Sequence, residues 1–446
     1  MKGYGKLFVC HKRDNILKCE QYLIGLLHNC KSNIERMTER IPKSNYDQLQ
    51  HFISNSPWDG LAVMDEVSRK LYTTLRAPTN STASSTGLGL LLDESGWEKS
   101  GKKSVGVARQ YIGQVGKVSN GQVGVFAGLT DGVQVGLVQG RLYLPKEWTT
   151  DTARCDAAKI PPSEQVYRTK PELAIEILKT LPSEVTYDWV GGDDLYGNSF
   201  TLRHYLQQTE QCFVLDVSDD LGVYLNKPEL YIPPKREGRG RTPTTLVCDQ
   251  KPIQLKAIFK QIKKEDWQTI THRNGTKGPM TRKAYMTDIY VWKSNRGQHI
   301  ESLQLLISTE VDGSEVKYSL CFKPKGEKLP LSTALPWQMQ RYWVERAFQN
   351  VKEHLGMNQY QVRSWTAWYH HIALSLMALH FLLQIQKEDK GDIPLLSIAD
   401  IKLIFAKKLL NKLNSDDGLA IAIKARHRKR KKDIDRHLKK NSKVPK

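Results

Sequence analysis

Leu88-Gly89-Leu90-Leu91-Leu92-Asp93 is the stretch from which the rest of the chain can be read. Four leucines in five residues predict a buried strand, and the acid that follows marks its end. Two further strands are predicted at 121–129 and 133–144, and Asp131-Gly132 between them is a strong hairpin signal. A helix at 171–181 leads to a fourth strand, 185–190, which runs into Gly191-Gly192-Asp193. A second helix, 199–208, leads to a fifth strand, 212–217. Three strands in a meander are thus followed by helix-strand-helix-strand.

That order predicts an α/β fold with an RNase H-like catalytic domain, a mixed five-stranded sheet with helices, antiparallel first and parallel afterwards. Residues 1–76 read as short helices with charged faces, compatible with a helical N-terminal DNA-binding domain, and 77–86 read as a linker. The first part of the catalytic domain is then 77–218. Residues 219–328 hold short strand-like runs after a Pro-, Gly- and Lys-rich loop, and read as a β-rich insertion domain. Helices resume in 329–390, the last part of the catalytic domain, and 391–446 hold one more helix and a basic tail.

Asp93 and Asp193 fall just past predicted strand ends, where ligand groups gather in open sheets with parallel strands. A third carboxylate comes from Leu335-Pro336-Trp337-Gln338-Met339-Gln340-Arg341-Tyr342-Trp343-Val344-Glu345-Arg346-Ala347-Phe348-Gln349-Asn350-Val351-Lys352. This reads as one helix with Pro336 in its first turn and Gly356 at its end. Arg341, Glu345 and Lys352 fall within roughly 40° of one another on its surface at about 100° per residue. Val344, Phe348, Val351 and Leu355 form a second, apolar face. A bland surface ion pair between Arg341 and Glu345 has the same spacing. Three converging carboxylates would suit Mg²⁺ or Mn²⁺, and two such ions serve in-line phosphoryl transfer. Alternation along a strand points the neighbouring Glu94 and Asp194 elsewhere. Asp216 reads as a buried, hydrogen-bonded acid, and Asp219 and Asp220 as a solvated turn.

Composition supports a polyanionic partner. The net charge is +20, and residues 424–446 carry +10 of it, from twelve Lys or Arg against two Asp. That run, with Arg428, Lys429 and Arg430 at its centre, reads as a disordered DNA-binding arm. Seven scattered cysteines without a CxxC fit a reducing cytosol and give no disulfide framework or zinc ribbon. Cys10, Cys19, His28 and Cys30 match no zinc spacing. No run is long enough to span a bilayer. Residues 96–103 nearly spell a phosphate-binding loop, but Lys103 stands where Ser or Thr is needed, so no nucleotide cofactor is expected. Lys102, Lys103 and Arg109 read instead as DNA contacts. His370-His371 lie in an otherwise apolar helix and read as packed histidines.

The chain resembles DDE-type insertion-sequence transposases, of the insertion-sequence-701 kind within the insertion-sequence-4 group. The resemblance rests on several segments in order. They are Gln50-His51-Phe52-Ile53-Ser54-Asn55-Ser56-Pro57-Trp58-Asp59, Asp93-Glu94-Ser95-Gly96 and Ser104-Val105-Gly106-Val107-Ala108-Arg109-Gln110-Tyr111. Downstream come Gly192-Asp193-Asp194-Leu195-Tyr196-Gly197, Gly275-Thr276-Lys277-Gly278-Pro279, Glu345-Arg346-Ala347-Phe348 and Tyr360-Gln361-Val362-Arg363-Ser364-Trp365. It implies a catalytic, metal-binding triad of Asp93, Asp193 and Glu345 holding two Mg²⁺, with Mn²⁺ able to substitute. It also implies that Arg341 and Lys352 hold DNA phosphates. The wider group has Tyr, Arg, Glu and Lys along this helix; here the tyrosine position is Gln338, and neighbouring Trp337 is the candidate for stacking on a base.

The function so implied is that of a bacterial transposase. It would cleave element ends and join their 3′-hydroxyls to target DNA, as a homodimer on double-stranded DNA in the cytoplasm at the nucleoid. The alternatives are a catalytically idle DNA-binding protein with the same fold and an RNase H-like structure-selective nuclease.

Overall fold

The strand expected to stop at Asp93 runs on to Glu98 in the computed structural model, because a long neighbour pairs with it along its whole length. The structure describes residues 3–10, 13–28, 33–77, 87–235, 242–275, 278–388 and 397–409, with Gly238 and isolated positions from Lys424 onward. Most of the predicted linker, Cys30 and most of the basic arm, including Lys429 and Arg430, lie outside these residues.

Among the described residues, ten strands form one mixed sheet. In chain order they are β1 (Gly89–Glu98), β2 (Ala108–Ile112), β3 (Lys117–Thr130), β4 (Val135–Leu142), β5 (Trp189–Gly192) and β6 (Phe213–Asp216). Then follow β7 (Gln268–Gly275), β8 (Gly278–Val291), β9 (Glu301–Glu310) and β10 (Lys317–Phe322). At the centre the spatial order is β4-β3-β1-β5-β6; β1 pairs antiparallel with β3 and parallel with β5, and β5 pairs parallel with β6. The hairpin signal at Asp131-Gly132 is realised: the Asp131 carboxylate accepts the N–H groups of Val133 and Gln134, and Gly132 has φ +86°. β2 was not expected from the sequence; it pairs with the first half of β3, and β4 pairs with the second half.

The sheet is wider than the five strands expected. The β-rich stretch continues it: β10 pairs antiparallel with β6, Ser319 opposite Asp216, and β9, β8 and β7 follow outward. Pairing with an otherwise open edge strand satisfies the backbone groups of β6. A buried ion pair ties this extension to the centre. Arg203, on the helix Phe200–Gln208, meets Glu301 of β9 at 2.5 and 2.8 Å, both side chains almost wholly inaccessible.

The helices are α1 (Ile16–Leu27), α2 (Ile34–Arg40), α3 (Tyr46–Ser54), α4 (Gly60–Arg76), α5 (Lys170–Thr180), α6 (Asp194–Gly197) and α7 (Phe200–Gln208). The remainder are α8 (Leu331–Gln340), α9 (Tyr342–Leu355), α10 (Trp365–Glu388) and α11 (Ile398–Lys408). Asn33, Asn45 and Asp59 cap the starts of α2, α3 and α4 through their side chains. α10 is apolar on nearly all sides and is buried at the centre of the helical layer. α4 lies on both α10 and β4, and the Ser68 hydroxyl donates to the Val138 carbonyl at 3.3 Å. The N-terminal helices therefore share one apolar core with the sheet.

The segment read as one helix through residues 335–352 is two. Pro336 lies inside α8 rather than in a first turn, and the chain breaks at Arg341 before α9 begins. Gly356 ends α9 with φ +63°, the left-handed conformation that glycine adopts without strain. The expected apolar face of α9 is buried: Val344, Phe348, Val351 and Leu355 all lie in the core.

Candidate active site

β1 and β5 pair in register up to Leu92 opposite Gly192. Asp93 and Asp193 are the next residue on each strand, and so stand side by side. The stop signal read at Asp93 is thus the end of the parallel neighbour, while β1 itself continues. At Asp193 the chain turns into α6. The Asp193 carboxylate caps that helix, its Oδ1 accepting the Leu195 N–H at 3.1 Å. Asp93 Oδ1 accepts the N–H of Glu94 at 2.7 Å. Gly197 lets α6 lie against β6; a Cβ there would sit 1.8 Å from the Asp216 carbonyl oxygen.

Glu94 joins the two aspartates, contrary to the expectation from strand alternation. Carboxylate oxygens of Asp93, Glu94 and Asp193 all lie within 4.8 Å of one another. The longer Glu94 side chain is also held from the side, Lys170 at the start of α5 donating to its Oε1 at 2.8 Å. Burial pushes the Asp93 pKa well above the ordinary carboxylate range, and Asp193 and Glu94 add to the rise against Arg341. Burial, with Glu94 and Asp194 beside it, pushes Asp193 up to about 6. Sequence reasoning missed Glu94 and Lys170. The signal for Glu94 was the Asp93-Glu94 doublet, whose side chains are both only partly buried.

Glu345 is not in this cluster. It lies in the first turn of α9, half-exposed, with Oε1 3.0 Å from Arg341 Nη1. Arg341 stands between the groups: its Nε is 3.0 Å from Asp216 Oδ2, and its charge also acts on Asp93 and Asp193. Burial alone would lower its pKa, but Asp216, Glu345, Asp93 and Asp193 together raise it. Asp216 is held in turn. Ser319 donates to its Oδ1 at 2.6 Å, Gln338 Nε2 donates to Ser319 at 2.8 Å, and Ser308 donates to Gln338 Oε1 at 2.6 Å. Gln338, which replaces the tyrosine of the wider group, is therefore a buried link in a polar chain from β9 to Arg341. Asp216 is the buried, hydrogen-bonded acid that the sequence suggested, with an ion pair that it did not.

The profile of the DDE superfamily endonucleases matches residues 6–279, more than half of the chain, and takes in Asp93, Glu94 and Asp193. The chain belongs to the DDE superfamily endonucleases. It is similar to the probable transposase for insertion sequence element IS701 of Microchaete diplosiphon, at 33% identity over 181 residues. That match covers 38% of this chain and 41% of the relative. Among solved structures it is similar to piggyBac transposase in a cryo-EM synaptic complex with hairpin DNA, at 11% identity and a TM-score of 0.37, over 90% of this chain and 72% of that one.

A DDE superfamily endonuclease implies a divalent metal, and the residues here fit one. Three hard oxygen donors converge, and Glu94 Oε2 is buried without a hydrogen-bond partner. The crowding that raises Asp93 and Asp193 is what a cation relieves.

The cations expected to meet DNA divide into three groups. Arg341 and Lys352 border the carboxylates. Lys352, on α9, donates to the Gly96 carbonyl at 3.3 Å; burial lowers its pKa to about 8, with Asp93 opposing. Lys102, Lys103 and Arg109 are exposed, on the loop after β1 and on β2. No helix follows that loop, consistent with the rejection of a phosphate-binding loop. In the basic arm, Arg428 is described as helical and exposed, as are Lys424, Lys431 and Lys432, although the sequence read as disordered there.

Trp337 cannot serve as a base-stacking platform in this conformation. It is buried and stacked face to face on Trp189, ring centroids 5.1 Å apart and 9° from parallel. Burial of two indoles in the layer beneath β5 accounts for this placement. His370 and His371 are packed as expected. His370 lies between the Ile53 and Trp58 carbonyls, and His371 between the Tyr22 hydroxyl and the Met357 carbonyl. Burial lowers His370 to about 4. No helix among the described residues is long and apolar enough to cross a membrane.

Proposed function

We propose that this protein is the transposase of a bacterial insertion sequence, with an RNase H-like catalytic centre. It binds element ends, cleaves DNA phosphodiester bonds and joins the freed 3′-hydroxyls to target DNA. The observation that carries this reading is the pair Asp93 and Asp193, side by side where β5 ends against β1, with Glu345 ion-paired to Arg341, whose charge also acts on both aspartates. The order β4-β3-β1-β5-β6 supports the RNase H-like assignment, with residues 219–328 as the insertion and 1–76 as the DNA-binding part. The dimeric state on paired ends, and a place at the nucleoid, belong to the same proposal.

In this reading Asp93, Asp193 and Glu345 are the catalytic carboxylates, and they would hold two Mg²⁺ or Mn²⁺. Bound there, the ions would supply Lewis-acid activation of the attacking oxygen and charge neutralisation at the leaving one. Arg341, just before α9, and Lys352, on it, hold the phosphate next to the scissile bond and offset its charge. In this reading Glu345 gives up its ion pair with Arg341 to complete the carboxylate set. Glu94, held by Lys170, adds negative charge beneath the aspartates and strengthens their hold on a cation.

The test is incubation of the protein with Mg²⁺ and DNA carrying the flanking element's ends. Cleavage and strand transfer are expected. Glu345→Gln should abolish both and leave DNA binding near its original strength, since the phosphate-binding cations remain. Normal cleavage by Glu345→Gln would sink the triad. Binding without cleavage by the unaltered protein would favour the idle DNA-binding alternative.

A further inference from the structure

Two segments that carry the family resemblance lie outside the carboxylate site, the one containing Gln50 and the one running from Tyr360 to Trp365. The fold brings them together. A cleft of about 750 Å³ opens between the N-terminal helices and the chain that follows Gly356, lined by Tyr46, Gln50, Lys99, Asn358, Gln361 and Arg363 among others. Its volume lies in the range of small-ligand sites, too small for a duplex.

The lining has the chemistry of a nucleotide site. Among the described residues, Lys99 has no carboxylate partner. Its Nζ donates to the Tyr360 carbonyl at 2.9 Å and stands 3.4 Å from the centre of the Tyr360 ring, and burial lowers its pKa to about 7. A largely covered ammonium that, among the described residues, meets a carbonyl and a ring but no carboxylate is poorly compensated, and an anion entering the cleft would compensate it. Arg363 is exposed at the mouth and, among the described residues, has no ion pair. The acid on the lining, Glu98, accepts a hydrogen bond from the Ser119 hydroxyl at 2.5 Å. Asn358 Oδ1 is buried with no hydrogen-bond partner, and Gln361 is exposed beside it. Tyr46 presents a partly exposed ring.

The cleft also lies on a line from the carboxylates. Asp93 and Lys99 share one extended segment, six residues or ~20 Å apart at ~3.3 Å per residue. Lys352 meets that segment midway, at Gly96. A strand with its scissile phosphate at Asp93 would reach the cleft after roughly six base steps at ~3.4 Å each.

We propose that this cleft binds an unpaired nucleotide of the DNA held at the carboxylates. Its phosphate lies against Lys99 and Arg363, and its base beside Tyr46 and the amides of Asn358 and Gln361. This rests on the DNA-cleaving function proposed above.

The test compares binding of the full chain to a blunt duplex and to the same duplex with a single-stranded thymidine overhang, by fluorescence anisotropy over a range of salt. The overhang should tighten binding about tenfold, the scale of one or two stacked bases. Arg363→Ala and Lys99→Met should each remove most of that gain and leave blunt-duplex affinity close to the original. Arg363→Ala should also flatten the salt dependence of overhang binding by about 0.7 in log–log slope. Arg363 is exposed, so its variant keeps the test valid if Lys99→Met fails to fold. An overhang gain unchanged in Arg363→Ala, or absent from the unaltered protein while blunt duplex is still bound and cut, overturns the proposal and leaves the function standing. Absence of any DNA binding overturns both.

Discussion

Asp216→Asn removes one negative charge from the chain of contacts that anchors Arg341 to the sheet, and keeps the shape. In the structure Arg341 Nε is 3.0 Å from Asp216 Oδ2, with side chains 23% and 18% exposed. The Nε meets the carboxylate as an ion pair rather than as an aligned hydrogen bond, and for a partly buried pair of this kind the expected loss of stability is about 1–2 kcal/mol. The asparagine can still accept from Ser319, so the neighbouring hydrogen bond at 2.6 Å survives. The functional consequence follows from what Arg341 does next. Its remaining partners are Glu345, Asp93 and Asp193, so the guanidinium competes harder for the carboxylates that would bind the metal. If about 1.4 kcal/mol of the lost anchoring is redirected there, the Mg²⁺ concentration for half-maximal cleavage rises roughly tenfold. The assay is a Mg²⁺ titration of end cleavage, with chemical denaturation in parallel. Ser319→Ala is the control: it removes the hydrogen bond but not the charge, and should leave the Mg²⁺ dependence in place. A destabilised Asp216→Asn with an unchanged Mg²⁺ dependence would refute the reasoning, and a lower Mg²⁺ requirement would reverse it.

Other outcomes can be stated more briefly. Gly197→Ala should destabilise by about 1–3 kcal/mol or more and reduce activity, because its Cβ would meet the Asp216 carbonyl at 1.8 Å and push α6, with Asp193, off β6; thermal unfolding and cleavage rates check it. Glu301→Gln should cost about 3–5 kcal/mol, since it leaves the Arg203 guanidinium buried and unpaired, and an equal denaturation midpoint would contradict that. Lys99 gives a pH signature. Its folded pKa, about 7, lies below the unfolded value, so the unfolded chain binds the extra proton between about 7 and about 10.4, and stability from this group rises with pH across that window. The unaltered protein should therefore gain more stability than Lys99→Met between neutral and mildly alkaline pH. Parallel stability curves would show that the ammonium is better solvated than its burial implies.

The local features of this chain were legible from local chemistry. Runs such as Leu88-Leu92, the Asp131-Gly132 turn, the Gly356 stop and the buried face of α9 each follow from residues within a turn or two of one another. Asp93 and Asp193 could be singled out in the same way, because an acid after a buried strand is visible without a partner, and the structure sets them side by side. Pairing decided the rest. β1 runs past Asp93 because β3 is long enough to pair with it to Glu98, and no property of β1 alone says so. Trp337 looked like an exposed ring because a sequence does not reveal that Trp189 lies opposite. Glu345 had the right helical spacing beside Arg341, but its distance from the aspartates depends on where Arg341 points. That direction is set by Asp216, 125 positions earlier in the chain, and through Ser319 and Gln338 by three further elements. Spacing along a helix is fixed by its 3.6-residue turn, whereas the meeting of charges from distant segments depends on which strands become neighbours. Only the folded sheet determines that.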